Sequence, residues 1–284
     1  MNIRVTADST CDLSPEIRAQ YGVITIPLTV LVGEESYHDG LNISPAQIVA
    51  AVENGKTCKT AAVNVYEYYE LFRRASQGYD AVIHLCIGQK FSTCYANACL
   101  AAQEFPHVHV VDTASLSTGM GVMVLDAVDM ARAGKTPEEI VAALEAERGL
   151  VDASFVLDQV EYLRNGGRCS AVAALGAKLL QLKPCIEVRD GVMGVGKKYR
   201  GSFTRSLEHY VQDKLGDLTH VDRRRVFLAH NLCAPEVVAH VKDCLEAMQA
   251  FEEILVTPAG GTICCHCGPN TLGVMFKRMQ LSSH

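Results

Sequence analysis

Apolar residues in this chain fall into short β-branched runs, separated by stretches in which they return every third or fourth position. The runs at 2 to 7, 23 to 32, 80 to 87 and 107 to 112 predict strands, and the stretches between them predict helices. Such alternation is the pattern of a mainly parallel sheet covered by helices. Helix starts are marked locally, because Ser14-Pro15, Ser44-Pro45 and Thr136-Pro137 each set an N-cap residue before a proline at the first helical position. Asn64 with Glu67, and Thr136 with Glu139, have capping-box spacing and predict helices near 65 to 76 and 137 to 148.

Beyond residue 150 a strand at 153 to 157 leads into a helix that ends at Gly166. The runs 185 to 189 and 192 to 198 flank Asp190-Gly191, a pair suited to a tight two-residue turn, and predict an antiparallel hairpin. Helices near 202 to 213 and 234 to 249 alternate with strands near 225 to 230 and 253 to 257. The expected fold is α/β in two lobes, domains 1–150 and 151–284, the first mainly parallel and the second mixed with an antiparallel hairpin.

Composition narrows the class. A length of 284 residues suits two lobes, and 49% apolar with 20% charged residues can build a substantial core. Net charge is −6 and the cations are scattered apart from Lys197-Lys198 and Arg223-Arg224-Arg225, so a nucleic-acid partner is not expected. The twelve cysteines sit mostly within apolar runs such as His84-Leu85-Cys86-Ile87 and read as small buried hydrophobes kept reduced. No charged segment followed by an apolar stretch opens the chain, and no run approaches the ~18 apolar residues of a membrane span. The expectation is a soluble cytoplasmic protein without stable membrane insertion.

Small polar residues gather at three predicted strand ends: Asp8-Ser9-Thr10, Gly88-Gln89 with Ser92, and Asp112-Thr113-Ala114-Ser115. Carboxyl ends of strands are where open α/β sheets bind ligands. Each residue taken singly is equally a cap for the next helix, and it is their recurrence that points to a site. The stretch Glu161 to Ser170 adds a cation. Gly166 and Gly167 can adopt the left-handed backbone that stops a helix, and Ser170 can cap a following helix from Ala171 to Leu182. Arg168 would then stand beside helix N–H groups that attract a carboxylate or phosphate, with pairing to a surface acid as the plain alternative. The small residues Ala171, Ala173, Ala174, Gly176 and Ala177 suit tight packing or the close approach of a long ligand.

Cys264-Cys265-His266-Cys267 has the residue types of a zinc centre. The segment reads as extended, however, so neighbouring side chains face opposite sides and cannot close on one ion, and no metal is expected. His266 beside Gly268-Pro269 is either a structural hydrogen-bonding group or a ligand contact. Gly191, Gly194 and Gly196 fall within the hairpin and no phosphate-cradling lysine loop exists, so no nucleotide cofactor is expected. The alternative enzyme reading is a self-contained hydrolase using Ser92 or Ser115 with His266, which requires a base within reach of the serine.

Taken in order, these segments resemble the DegV family, fatty-acid-binding proteins that serve a bacterial fatty acid kinase. The matching landmarks are Ala7-Asp8-Ser9-Thr10, Asp39-Gly40, Lys59-Thr60, Phe91-Ser92, Asp112-Thr113, Tyr162-Leu163 with Gly166-Gly167-Arg168, Lys183-Pro184, Lys198 with Arg200, His230, and His266 with Gly268-Pro269. The resemblance implies a long-chain fatty acid whose tail lies in a buried tunnel and whose carboxylate sits near the junction of the lobes. A separate kinase subunit would phosphorylate it, so this chain would need neither catalytic residues nor a cofactor. It implies Thr60 and His266 as carboxylate contacts with Ser92 nearby, and Asp8, Ser9, Thr113 and Ser115 as support for the head-group end. It implies Arg168 and Arg200 as rim residues facing the phosphate donor or the kinase. The chain departs from the family pattern at Ala61-Ala62-Val63-Asn64, where the family has Ser-x-Pro-Ser. It departs again at Gly88-Gln89 in place of two serines, Gln89 remaining a candidate contact, at Thr93 in place of glycine, and at Asn270 in place of glycine.

Overall fold

The computed structural model describes residues 1–169 and 182–279. The first half contains β1 (Ile3–Asp8), β2 (Ile24–Ile26), β3 (Thr29–Val32), β4 (Glu35–His38), β5 (Cys58–Ala61), β6 (Ala81–Cys86) and β7 (Val108–Asp112). Its helices are α1 (Pro15–Tyr21), α2 (Pro45–Glu53), α3 (Val65–Ala75), α4 (Cys94–Ala102), α5 (Ser117–Arg132) and α6 (Pro137–Glu147). Ser14, Ser44, Asn64 and Thr136 each accept from a backbone N–H three residues on, and at the last three the glutamine or glutamate returns the bond. Four strands form a parallel sheet in the order β2-β1-β6-β7.

The predicted strand over 23 to 32 is two strands in different sheets. Pro27 lies between them, and a residue without an N–H cannot continue a ladder. Thus β2 pairs with β1, whereas β3 joins a small antiparallel sheet, β4-β3-β5, that the periodicity did not mark.

The second half contains β8 (Val151–Leu157), α7 (Glu161–Gly166), β9 (Leu182–Arg189), β10 (Val192–Arg200), α8 (Phe203–Leu215), β11 (Val221–Asn231), α9 (Pro235–Ala247), β12 (Glu253–Pro258), α10 (Gly261–Cys267) and β13 (Thr271–Arg278). They build a mixed sheet in the order β10-β9-β8-β13-β11-β12. Asp190 and Gly191 turn the β9–β10 hairpin with φ of 50° and 71°, the left-handed pair such a turn requires. Strand β13 was not foreseen. It is buried on both faces from Thr271 to Phe276, which removes the alternation that betrays a strand. Ser170 and the small-residue run after it lie outside the described residues, and Leu182, the predicted end of that helix, opens β9.

One correction bears on the chemistry. Residues 261 to 267 form the helix α10, not an extended segment, so strand alternation does not separate the cysteines of that run.

Between the two large sheets lies α5, buried from Ser117 to Val128, packing on β1 and β6 on one side and on β8, β11 and β13 on the other. One hydrophobic cluster accordingly runs from Val5 and Ile83 through Met120 and Leu125 to Phe155 and Phe227. Buried ion pairs reinforce the join. Arg225 on β11 bonds Asp126 at 3.3 Å and Asp129 at 2.9 Å on α5, and Lys277 on β13 bonds Asp126 at 2.7 Å. Among the described residues no helix is long and apolar enough to cross a membrane.

Candidate functional site

Helix α10 is built from a glycine, a threonine, an isoleucine, three cysteines and a histidine, none of them strong helix formers. Its start is held from far along the chain. The Gly260 N–H donates to Asp12 Oδ1 at 2.8 Å and the Gly261 N–H to Asp39 Oδ1 at 2.6 Å, so two side-chain carboxyl groups cap the start of the helix. Ser117 Oγ donates to Asp12 at 2.6 Å and Ser9 Oγ to Asp39 at 3.1 Å. Burial lifts the Asp12 carboxyl to about 8, against the opposing pull of the Ser117 and Gly260 hydrogen bonds.

The far end of α10 meets β5 and α7. There Thr60 Oγ1 and His266 Nε2 lie 2.8 Å apart. The other ring nitrogen, Nδ1, is buried without a hydrogen-bond partner among the described residues. It rests against Gly166, where a Cβ would overlap the ring, while Gly167 at φ 66° makes the left-handed stop of α7. Arg168 follows, exposed, with Nη1 donating to the Gly166 carbonyl at 3.1 Å. Burial, helped by the Arg168 charge, lowers the His266 pKa to about 4, so the ring is neutral near pH 7.

Beside this pair the described residues enclose about 60 Å³, with Thr60, Ser92, Arg168, Thr262 and His266 as polar walls and Leu28, Ile87, Phe91 and Met193 among the apolar ones. A second space of about 20 Å³ adjoins it, lined by Phe155, Ala229 and Met275 and sharing Leu116, Ile263 and Cys267 with the first. The two spaces thus share apolar walls, and the Thr60–His266 pair lines the larger of them. Thr262 had not been singled out from sequence. It stands four residues before His266, hence on the same face of α10, and its Oγ1 is buried and unpaired.

The other expected site residues are placed differently. Asp8 is saturated in the core, accepting from Tyr68 Oη at 2.6 Å, the Ile87 N–H at 2.9 Å and His84 Nε2 at 3.3 Å. Thr113 donates to the Cys86 carbonyl at 2.8 Å and shapes the turn after β7. Ser9 acts through Asp39. Gln89 and Ser115 line a separate open groove of about 1000 Å³ with Asp112, Arg148 and Lys197. Although larger, that groove suits an apolar tail poorly, since its ions are mostly paired, Lys214 with Glu187 at 2.9 Å and Lys197 with Asp213 at 2.6 Å. Arg200 ends β10, exposed and outside the walls of both small cavities.

Among the described residues, neither serine of the hydrolase reading has a histidine within hydrogen-bond reach. Ser92 Oγ donates to Cys94 Sγ at 3.2 Å, and Ser115 Oγ is buried without a partner. Among the described residues, three potential metal ligands come within 4.8 Å of one another only at Asp8, His84 and Cys86, where Asp8 and His84 already bond each other.

A family model described as "Uncharacterised protein, DegV family" matches residues 2–278. A DegV domain-containing protein of Deinococcus radiodurans is 34% identical, over 99% of this chain and 100% of its own length. A solved DegV family protein from Thermus thermophilus, described as binding fatty acid, has a TM-score of 0.90 at 31% identity and covers 98% of this chain and 100% of that one. DegV from Bacillus subtilis, a fatty acid binding protein, has a TM-score of 0.83 at 25% identity and covers 99% and 100%. The family match over residues 2–278 and the full-length relative at 34% identity span essentially the whole chain, which belongs to the DegV family.

Proposed function

We propose that this chain binds a long-chain fatty acid and holds its carboxylate for phosphorylation by a separate kinase. The observation that carries the reading is the Thr60–His266 pair lining a small, mainly apolar cavity that shares walls with a second one. Similarity to the Thermus thermophilus and Bacillus subtilis proteins, both described as binding fatty acid, supports it. In this reading domains 1–150 and 151–284 meet at the ligand, because Thr60, Ile87 and Leu116 of one wall face Arg168, Met193 and His266 of the other.

The energetics fit such a ligand. Removing about fifteen apolar carbons from water, at roughly 0.8 kcal/mol each, is worth about 12 kcal/mol before ordering costs. The carboxylate must then be hydrogen-bonded, because an unpaired buried anion is far more costly. Thr60 can donate to it while His266, neutral at pH 7, fixes the hydroxyl, and Arg168 supplies positive charge from the rim.

Presentation follows from the same arrangement. A carboxylate at Thr60 lies beside exposed Arg168, where a partner carrying a nucleoside triphosphate can approach. A carboxylate oxygen attacks the terminal phosphorus, forming the acyl phosphate as the bond to the nucleoside diphosphate breaks. The chain itself contributes binding and orientation, with Arg168 and Arg200 as the surface offered to the donor or kinase. Organic extraction followed by mass spectrometry is expected to recover a long-chain acid from purified protein. Delipidated protein that takes up neither labelled hexadecanoic nor octadecenoic acid would disprove the reading.

A further inference from the structure

We infer that Thr262 contacts the ligand head group and sets the preference of this site for an acid over an uncharged chain, an inference that rests on the fatty-acid reading above. Three observations converge on it. Thr262 is 4% exposed and its hydroxyl has no hydrogen-bond partner among the described residues. It lines the same cavity as Thr60 and His266. It also lies one turn before His266 on a helix whose start is tied down by Asp12 and Asp39, so its position is fixed relative to the ring.

A buried hydroxyl without a partner destabilises a fold. Thr262 is the second residue of α10, so no earlier helical turn offers it a carbonyl. Its hydroxyl is therefore free for a group that enters the cavity. A carboxylate has two oxygens and about four acceptor positions, so one donor at Thr60 leaves most of it unserved. Ser92 is engaged with Cys94, donating to its sulfur and accepting from its N–H at 3.3 Å. Thr262, ~6 Å from His266 along the helix axis, is spaced to serve the second oxygen while Thr60 serves the first. If the hydroxyl instead lay against the hydrocarbon, it would stay unpaired in the complex, and removing it would tighten binding.

The sign of one substitution decides between these arrangements. The delipidated full chain, T262V and T262S are titrated with hexadecanoic acid and with 1-hexadecanol, and their ligand-free melting temperatures are recorded. T262V is expected to bind the acid about tenfold more weakly, the alcohol within about twofold of wild type, and to melt no lower than wild type. T262S, which keeps the hydroxyl, should retain most of the acid affinity. Unchanged or tighter acid binding by T262V overturns the inference, and so does an equal loss for acid and alcohol, which would reflect packing. Wild-type protein that takes up neither probe overturns the fatty-acid reading and the role of Thr262 with it.

Discussion

Thr6 with His84 and Thr60 with His266 are the same two residue types brought together in two regions of one molecule, and their surroundings differ. In the core of the parallel sheet His84 Nδ1 meets Thr6 Oγ1 at 2.9 Å and Nε2 meets Asp8, whose remaining capacity goes to Tyr68 and the Ile87 N–H. At the cavity, among the described residues, His266 has Thr60 on one nitrogen and nothing on the other, with the unpaired Thr262 hydroxyl a turn away. Leaving a buried polar atom unpaired costs about 1 to 3 kcal/mol, and a chain tolerates that where an incoming ligand can complete the set. Saturation marks the first pair as architecture, and incompleteness marks the second as a site.

The hardest test of that contrast is Asp8→Ala. It strands Tyr68, His84 and the Ile87 N–H in a dry core, and unfolding in urea should show a loss of about 3 to 5 kcal/mol. His266→Ala should change ligand-free stability by less than about 1 kcal/mol near pH 7, since it removes a ring that is already half unpaired. Equal losses from the two variants would break the comparison.

Next in size is a pH effect confined to the second pair. The folded His266 pKa, about 4, lies below the ordinary value of 6.5, so the unfolded chain takes up the proton first as pH falls. Above pH 6.5 this group contributes nothing. Between 6.5 and 4 the wild type should lose about 3 kcal/mol of stability relative to His266→Ala, and below 4 the gap should stay constant. Parallel unfolding curves of the two proteins across this window would show that the ring is not desolvated as described.

Ligand binding sharpens the contrast further. His266→Ala should weaken hexadecanoic acid binding about tenfold with the fold intact, as expected for a group that fixes a donor to a carboxylate. The smallest effect on binding belongs to Arg168→Ala, less than about threefold, because a rim charge acts mainly on encounter and orientation. Turnover with a fatty acid kinase and ATP should fall more than binding does. Equal loss of both would move Arg168 from the rim onto the carboxylate.

What the sequence disclosed follows how local each cause is. Ser14, Ser44, Asn64 and Thr136 announce their helices within four residues, and Asp190-Gly191 announces its turn within two, so these elements were legible. Helix α10 was misread because its capping groups, Asp12 and Asp39, lie more than two hundred residues away in sequence. Strand β13 was missed for want of alternation, and the small sheet for the shortness of its strands. At the site, Thr60 was named from the family resemblance alone, Ser92, Arg168 and His266 from local sequence signals as well, and the four share one cavity. Asp8 and Thr113 were named for their strand-end position, and that position also serves to lock turns and strands. Thr262 carries no local signal, since an unpaired hydroxyl is a property of three-dimensional surroundings.

The two neighbouring glycines at the end of α7 have separate reasons to be there, and this matters for anyone seeking a sturdier variant. Gly167 needs its left-handed backbone, but Gly166 has no such requirement, and alanine in place of a helical glycine ordinarily adds up to about 1 kcal/mol of stability. A Cβ at Gly166, however, would press into His266 Nδ1 and drive the ring from Thr60. A heat-based screen could thus reward Gly166→Ala for a better helix while discarding the ligand, so melting temperature alone is a misleading guide to improvement at that position.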